Sequence, residues 1–173
     1  MLDIKDQLYR WAEEIFPINR SLTGDGVRET MSYIKQILPQ LQVHEVPSGT
    51  QAFDWQVPQE WNIRDAYVLN EHGERVIDFQ KSNLHVVGYS MPLDKWFDLE
   101  ELQEILYSLP ELPDAIPYVT TYYRDGYGFC LSENDRKALK PGKYRAVIDS
   151  TKGPGHLTYG ELILPGESEQ EVL

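Results

Sequence analysis

Residues 16–38 read Phe16-Pro17-Ile18-Asn19-Arg20-Ser21-Leu22-Thr23-Gly24-Asp25-Gly26-Val27-Arg28-Glu29-Thr30-Met31-Ser32-Tyr33-Ile34-Lys35-Gln36-Ile37-Leu38. A tight polar loop lies between two stretches of helical period. Upstream, Ile4, Leu8, Trp11 and Ile15 fall on one face and predict a helix over 3–15. Pro17 closes it, because proline cannot continue the hydrogen-bond ladder and restrains the residue before it. Downstream, Val27, Met31, Ile34 and Leu38 predict a second helix over 26–38, ended by Pro39. Gly24 and Gly26 let the chain reverse between the two helices, and Thr23 or Asp25 is placed to cap the second.

Beyond residue 42 the period changes to that of strands. Val43 to Val46 predicts a strand ended by Pro47-Ser48-Gly49. The runs 66–70 and 75–79 flank Asn70-Glu71-His72-Gly73 as a hairpin, with Gly73 supplying positive φ. Residues 84–90 read as a short strand. Asp98 to Leu109 reads as a helix with Asp98 and Glu101 at capping-box spacing. Residues 118–123 and 127–131 read as a hairpin across Arg124-Asp125-Gly126. Ser132 starts a short helix, residues 143–150 form a strand, and residues 156–166 a last one. The terminal Glu171-Val172-Leu173 is apolar and strand-prone. The order places the first 54 residues and residues 151–173 in one unit, with a β-rich domain over 55–150 inserted between them. The stretch as a whole is α+β.

Composition narrows the function classes. The chain has 173 residues, of which 41% are hydrophobic and 12% aromatic, enough for a packed core. The net charge is −12, and no basic run is long enough to track a phosphate backbone. Nucleic acid and anionic membrane surfaces are therefore excluded as expected partners. A single cysteine, Cys130, permits no intrachain disulfide. The N-terminus has no basic region leading into an apolar one, and no apolar run approaches a membrane span. A cytoplasmic setting is expected.

The residues that carry chemistry are sparse. His44, His72, His85 and His156 have no partner histidine three to five positions away, as a finger or helical zinc motif needs. They read as strand or turn residues. Glu13-Glu14 and Glu100-Glu101 are sequence neighbours, which splay apart on a helix. Cys130 lies in an apolar run and reads as a buried, inert thiol. Residues 23–26 lack the preceding strand and following lysine of a phosphate loop. Arg20 is different: beside the turn, its guanidinium can tie loop carbonyls or a carboxylate, or face a substrate. Tyr122 and Tyr123, with Tyr118 and Tyr127, either pack across strands or line a face that binds peptide or glycan. No catalytic residue and no metal ligand is assigned.

The loop at 16–28 resembles the N-terminal signature of a bacterial aminopeptidase-like family. Further matches follow in order: Trp61-Asn62-Ile63-Arg64-Asp65-Ala66, His85-Val86-Val87-Gly88-Tyr89-Ser90, Tyr122-Tyr123 with Tyr127-Gly128-Phe129-Cys130, and Gly160-Glu161-Leu162-Ile163-Leu164-Pro165-Gly166. The resemblance runs from about residue 10 to the end. Its members are zinc peptidases of the M28 type with an inserted domain, labelled DUF2172 or DUF4910 and associated with polysaccharide biosynthesis. The resemblance implies an α/β sandwich (αβα) interrupted by a β-rich domain. It also implies hydrolysis at a peptide's N-terminal end, with zinc lowering the pKa of a bound water and a Glu accepting its proton. In that family the first ligands sit in a Thr-His-x-Cys-His-Pro-like segment after the strand that Glu171-Val172-Leu173 begins. This chain stops before that segment. The expectation is a zinc-dependent aminopeptidase-like hydrolase whose metal site lies beyond this chain, with zinc and peptide substrate belonging to the full-length protein. A homo-oligomer is compatible with it. The alternative is a non-catalytic module that binds peptide or glycan on an aromatic β face.

Overall fold

A computed structural model describes residues 3–166. Helix α1 is Ile4–Ile15 and α2 is Asp25–Ile37, joined by the polar loop. Strand β1 (Gln42–Pro47) leads into a minimal hairpin of β2 (Gln51–Ala52) and β3 (Trp55–Gln56). The long β4 (Glu60–Leu69) turns back as β5 (Arg75–Asp78). Then come β6 (Leu93–Asp98), α3 (Leu99–Gln103), β7 (Leu106–Tyr107), β8 (Phe129–Cys130), α4 (Glu133–Ala138), β9 (Lys143–Gly153) and β10 (His156–Glu161). The fold is α+β.

The central sheet has four strands in the order β5-β4-β9-β6. Every pairing in it is antiparallel, and Tyr67 stands opposite Val147 and Trp96 opposite Arg145. Alternation sends Ala66, Val68, Ala146 and Ile148 to one face, where all are buried. Phe97, Leu102, Leu106, Phe129, Leu131 and Tyr144 close over that face to complete the core. The opposite face is charged, with Arg64 on Asp149 and Arg145 on Asp94 as two-pronged pairs.

A second, two-stranded sheet joins β1 to β10, antiparallel from Gln42 opposite Glu161 to Pro47 opposite His156. It brings the early and late parts of the chain together. Helix α2 packs on β10: a Cβ on Gly160 would meet Met31 Sδ at 2.9 Å. No residue of α1 is buried, and Ile4 and Leu8 of its predicted stripe are exposed.

Four local expectations need correction. The helix expected over 98–109 stops at Gln103, although its capping box forms. Leu106–Tyr107 instead pairs in parallel with Phe129–Cys130, and Arg136 takes the carbonyl oxygen of Gln103 at 2.9 Å. Long-range pairing has overridden local helical period here. The hairpin expected from 118–131 is absent among the described residues, because each arm has another partner. Gly88 N–H donates to Val119 O at 2.8 Å and Thr121 N–H to Gly88 O at 2.9 Å, while β8 goes to β7. Residues 84–90 are not a strand: Asn83–His85 is a 3₁₀ turn, and Tyr89 at φ +66° breaks the extended run. The last strand ends at Glu161 rather than 166, and the strand-like segment at 171–173 lies outside the described residues.

Candidate functional site

The helix–loop–helix is held against the sheet by its shortest residues. Gly24 has φ +91°, and a Cβ there would sit 2.3 Å from the carbonyl oxygen of Trp61. A Cβ on Gly26 would sit 1.8 Å from the carbonyl oxygen of Asn19. Only glycine allows backbone to approach this closely. The exposed amide at the start of α2 is not capped by Thr23 or Asp25, as expected from sequence. Asn62 of β4 caps it, its Oδ1 accepting from Asp25 N–H at 2.7 Å.

Thr23 is freed for a buried role. Its Oγ1 accepts from Trp61 N–H at 3.0 Å and shares a hydrogen with Tyr89 Oη at 2.6 Å. The Trp61 indole donates to Ser90 O at 2.9 Å and stacks on the Tyr89 ring, centroids 5.6 Å apart. Tyr122 meets Tyr89 edge-on at 4.8 Å and shares a hydrogen with Tyr118 Oη at 2.9 Å. Burial raises the pKa of both Tyr89 and Tyr122, and Tyr118 adds to the effect at Tyr122. Both phenols therefore stay protonated at neutral pH, as hydrogen-bonding groups and not bases. The Ser21 hydroxyl is buried beside them and partly offsets the effect of burial on both phenols.

Two cavities flank this cluster. The larger, about 720 Å³, opens between the helices and β4, with Asn19, Asp25, Glu29, Tyr33, Trp61 and Arg64 in its wall. The smaller, about 340 Å³, is lined by Phe16, Arg20, Ser21, Leu84, Tyr118 and Tyr122. Of the residues singled out from sequence, Arg20 and Tyr122 thus meet at one pocket. The Arg20 guanidinium donates to Ile15 O at the end of α1. Tyr123 is elsewhere, 85% exposed on a different cleft. Sequence reasoning missed Trp61, Tyr89 and Ser21 as parts of one cluster. Each lay in a quoted motif, but nothing in the spacing said the motifs converge.

An ion cluster locks the other side of the helix pair. Arg28 of α2 grips Glu60 of β4 with two nitrogens, at 3.0 and 2.6 Å, and touches Asp25 at 2.8 Å. Glu60 also accepts from Asn62 Nδ2 and from His156 N–H, both at 3.2 Å. The guanidinium holds the Glu60 carboxyl down at about 2. Cys130 is fully buried, and burial pushes its thiol up to about 12. His85 sits in the 3₁₀ turn rather than a strand, its Nδ1 2.7 Å from Cys130 O.

Among the described residues, no group of three or more His, Cys, Asp or Glu could hold a metal ion. None of the described helices is long and apolar enough to cross a membrane. The pocket beside the cluster, bordered by Arg20, Ser21, Tyr118 and Tyr122, offers a guanidinium and hydroxyls to a hydrogen-bonding group. It carries no nucleophile and base in contact.

An α+β unit whose nested sheet is clamped to a helix pair by a Thr–Tyr–Trp cluster defines the fold class. The chain belongs to the family described as Domain of unknown function (DUF2172), whose model matches residues 60–151, from the first residue of β4 into β9. A Clostridium acetobutylicum protein, named for polysaccharide biosynthesis with an aminopeptidase-like domain, is 51% identical over 167 residues. That match covers 96% of this chain and 38% of the relative. A crystal structure of a protein from the same organism that carries a peptidase designation superposes with a TM-score of 0.89 at 50% identity. It covers 95% of this chain and 39% of that one. The chain therefore spans under two-fifths of the length of the relatives it matches.

Proposed function

We propose that this chain is the N-terminal part of an M28-type, zinc-dependent aminopeptidase-like hydrolase that removes N-terminal residues from peptides in the cytoplasm. Residues 1–54 and 151–173 belong to the peptidase-like domain, the start of an αβα sandwich also labelled DUF4910. Residues 55–150 are the inserted β-rich domain. The observation that carries this reading is the pairing of β1 with β10 around a sheet built wholly from the residues between them. An insertion enters and leaves its host through adjacent chain segments, and β1 and β10 are such a pair. The names of the two relatives point to the same class.

The described residues do not assemble a metal site, so no step of hydrolysis is drawn through them. Zinc would be held by residues outside this chain. The chain's own part is positional. The Thr23–Tyr89–Trp61 cluster and the Arg28–Glu60 pair set the inserted domain against the helix pair as one wall of a substrate cleft. Arg20 and Tyr122 stand at the pocket in that wall. The same aromatic lining supports, as a second reading, a peptide- or glycan-contacting role without catalysis.

The test is made on a full-length protein containing this chain. Metal analysis and hydrolysis of aminoacyl amides should give zinc-dependent release of N-terminal residues, while residues 1–173 alone give none. Tyr122→Ala should raise KM with kcat retained. A full-length protein that binds no zinc and cleaves no peptide would leave the binding-module reading.

A further inference from the structure

Phe53 is 100% exposed at the tip of the β2–β3 hairpin. Its backbone φ is +55°, where glycine or asparagine is the usual occupant of a two-residue hairpin turn. A bulky residue there carries a local conformational cost. The cost is spent on an aromatic ring that touches nothing of its own chain's core. Beside the tip lies a cleft of about 740 Å³, whose wall includes Trp55, Val57, Tyr122, Tyr123 and Arg124. Tyr123 is 85% exposed. The same face thus carries a projecting ring and an aromatic recess.

Charge selects what can occupy the recess. The chain carries −12 overall, which opposes contact between copies over most of its surface. This face is balanced: Asp54 and Asp125 stand with Arg124 and Lys152 around the cleft. Lys152 pairs with Asp125 at 2.6 Å, whereas Asp54 and Arg124 have no ion pair among the described residues. A projection, an aromatic recess and one free charge of each sign on a single patch are the elements an isologous two-fold pairing uses.

We propose that this face joins two copies of the chain. Phe53 of each copy enters the aromatic recess of the other, and Asp54 of each faces Arg124 of the other. Two exposed aromatics per copy and their rim bury about 1,000 Å², the lower bound for a specific interface. The dimer is therefore weak, with dissociation in the micromolar range. The proposal does not depend on the peptidase reading, since it is measured without substrate, although Tyr122 borders both this recess and the Arg20 pocket.

The experiment is sedimentation velocity on the 173-residue chain from about 1 to 500 µM. A reversible monomer–dimer equilibrium is expected. Phe53→Gly removes the ring and suits the positive φ, so it keeps or raises the thermal midpoint while weakening the dimer about thirtyfold. Asp54→Arg and Arg124→Asp should each weaken it about tenfold, because each creates two symmetric repulsions. The double variant Asp54→Arg/Arg124→Asp should return to within about threefold of the parent. A monomer throughout the range overturns the proposal, as does a dimer indifferent to Phe53→Gly. A double variant no tighter than the single ones overturns the Asp54–Arg124 pairing.

Discussion

Glu60→Gln should destabilise the chain at neutral pH and cease to do so in acid. The Glu60 side chain is 17% exposed and accepts two hydrogen bonds from Arg28 and one each from Asn62 and the His156 backbone. Folding lowers its pKa from 4.5 to about 2, chiefly through the hydrogen bond from Arg28. A carboxylate shifted this far contributes about 3 kcal/mol at pH 7. The sign follows from the depressed folded value. The contribution is complete above the unfolded pKa near 4.5, falls to about 1.4 kcal/mol at pH 3, and is gone below about 2. Other carboxylates titrate in the same window, but they do so in parent and variant alike, so the difference isolates Glu60. Urea unfolding of both proteins at pH 7, 5, 4 and 3, followed by tryptophan fluorescence, gives that difference directly. Expected values are about 2–3 kcal/mol at pH 7 and less than half as much at pH 3. An equal difference at both pH values would refute the reasoning, as would one under about 0.5 kcal/mol at pH 7, the range of an exposed pair.

Further outcomes follow from the packing of single residues. Gly26→Ala, which in an ordinary helix stabilises by about 1 kcal/mol, should here cost about 3 kcal/mol, because its Cβ would lie 1.8 Å from the Asn19 carbonyl oxygen. Gly153→Ala, with nothing within 4 Å, should change the thermal midpoint little. Thr23→Val should cost about 2–3 kcal/mol by stranding the buried Trp61 N–H, more than the roughly 1 kcal/mol of Tyr89→Phe, and chemical denaturation should preserve that ranking. Cys130 should not react with a disulfide reagent at pH 8 until the protein is unfolded, since burial holds its thiol near 12; prompt labelling of the folded chain would contradict that burial.

Much of the secondary structure was legible because it is local. The two N-terminal helices, the β4–β5 hairpin with Gly73 at φ +80°, and the α4 cap from Ser132 Oγ to Asp135 N–H each follow from residues within a few positions of one another. The failures at 98–109, at the tyrosine run and at the α2 cap are non-local. The helix expected to reach Leu109 was shortened by pairing with Phe129, some twenty residues on. The tyrosine run was drawn from its expected hairpin to Gly88. Thr23 looked like a cap because its neighbours are helical, and only the arrival of Asn62 released it to bind Tyr89 and Trp61.

The candidate site divides in the same way. Sequence pointed to Arg20 and Tyr122 for their chemistry, and it set the glycines where backbone must reverse. Helical and strand periods, turn residues and net charge are properties of short windows, so the sequence by itself determined most of the element types, the acidic surface and the family resemblance. Tertiary structure decided which windows meet. Trp61, Tyr89, Ser21 and Tyr122 lie on separate stretches spread over a hundred residues, and no local period encodes their distance. Their convergence depends on the β4–β9 register and on how closely glycine lets the loop approach the sheet. Burial then keeps the phenols of Tyr89 and Tyr122 neutral and the Cys130 thiol inert, while the Arg28 guanidinium keeps Glu60 charged against the pull of burial.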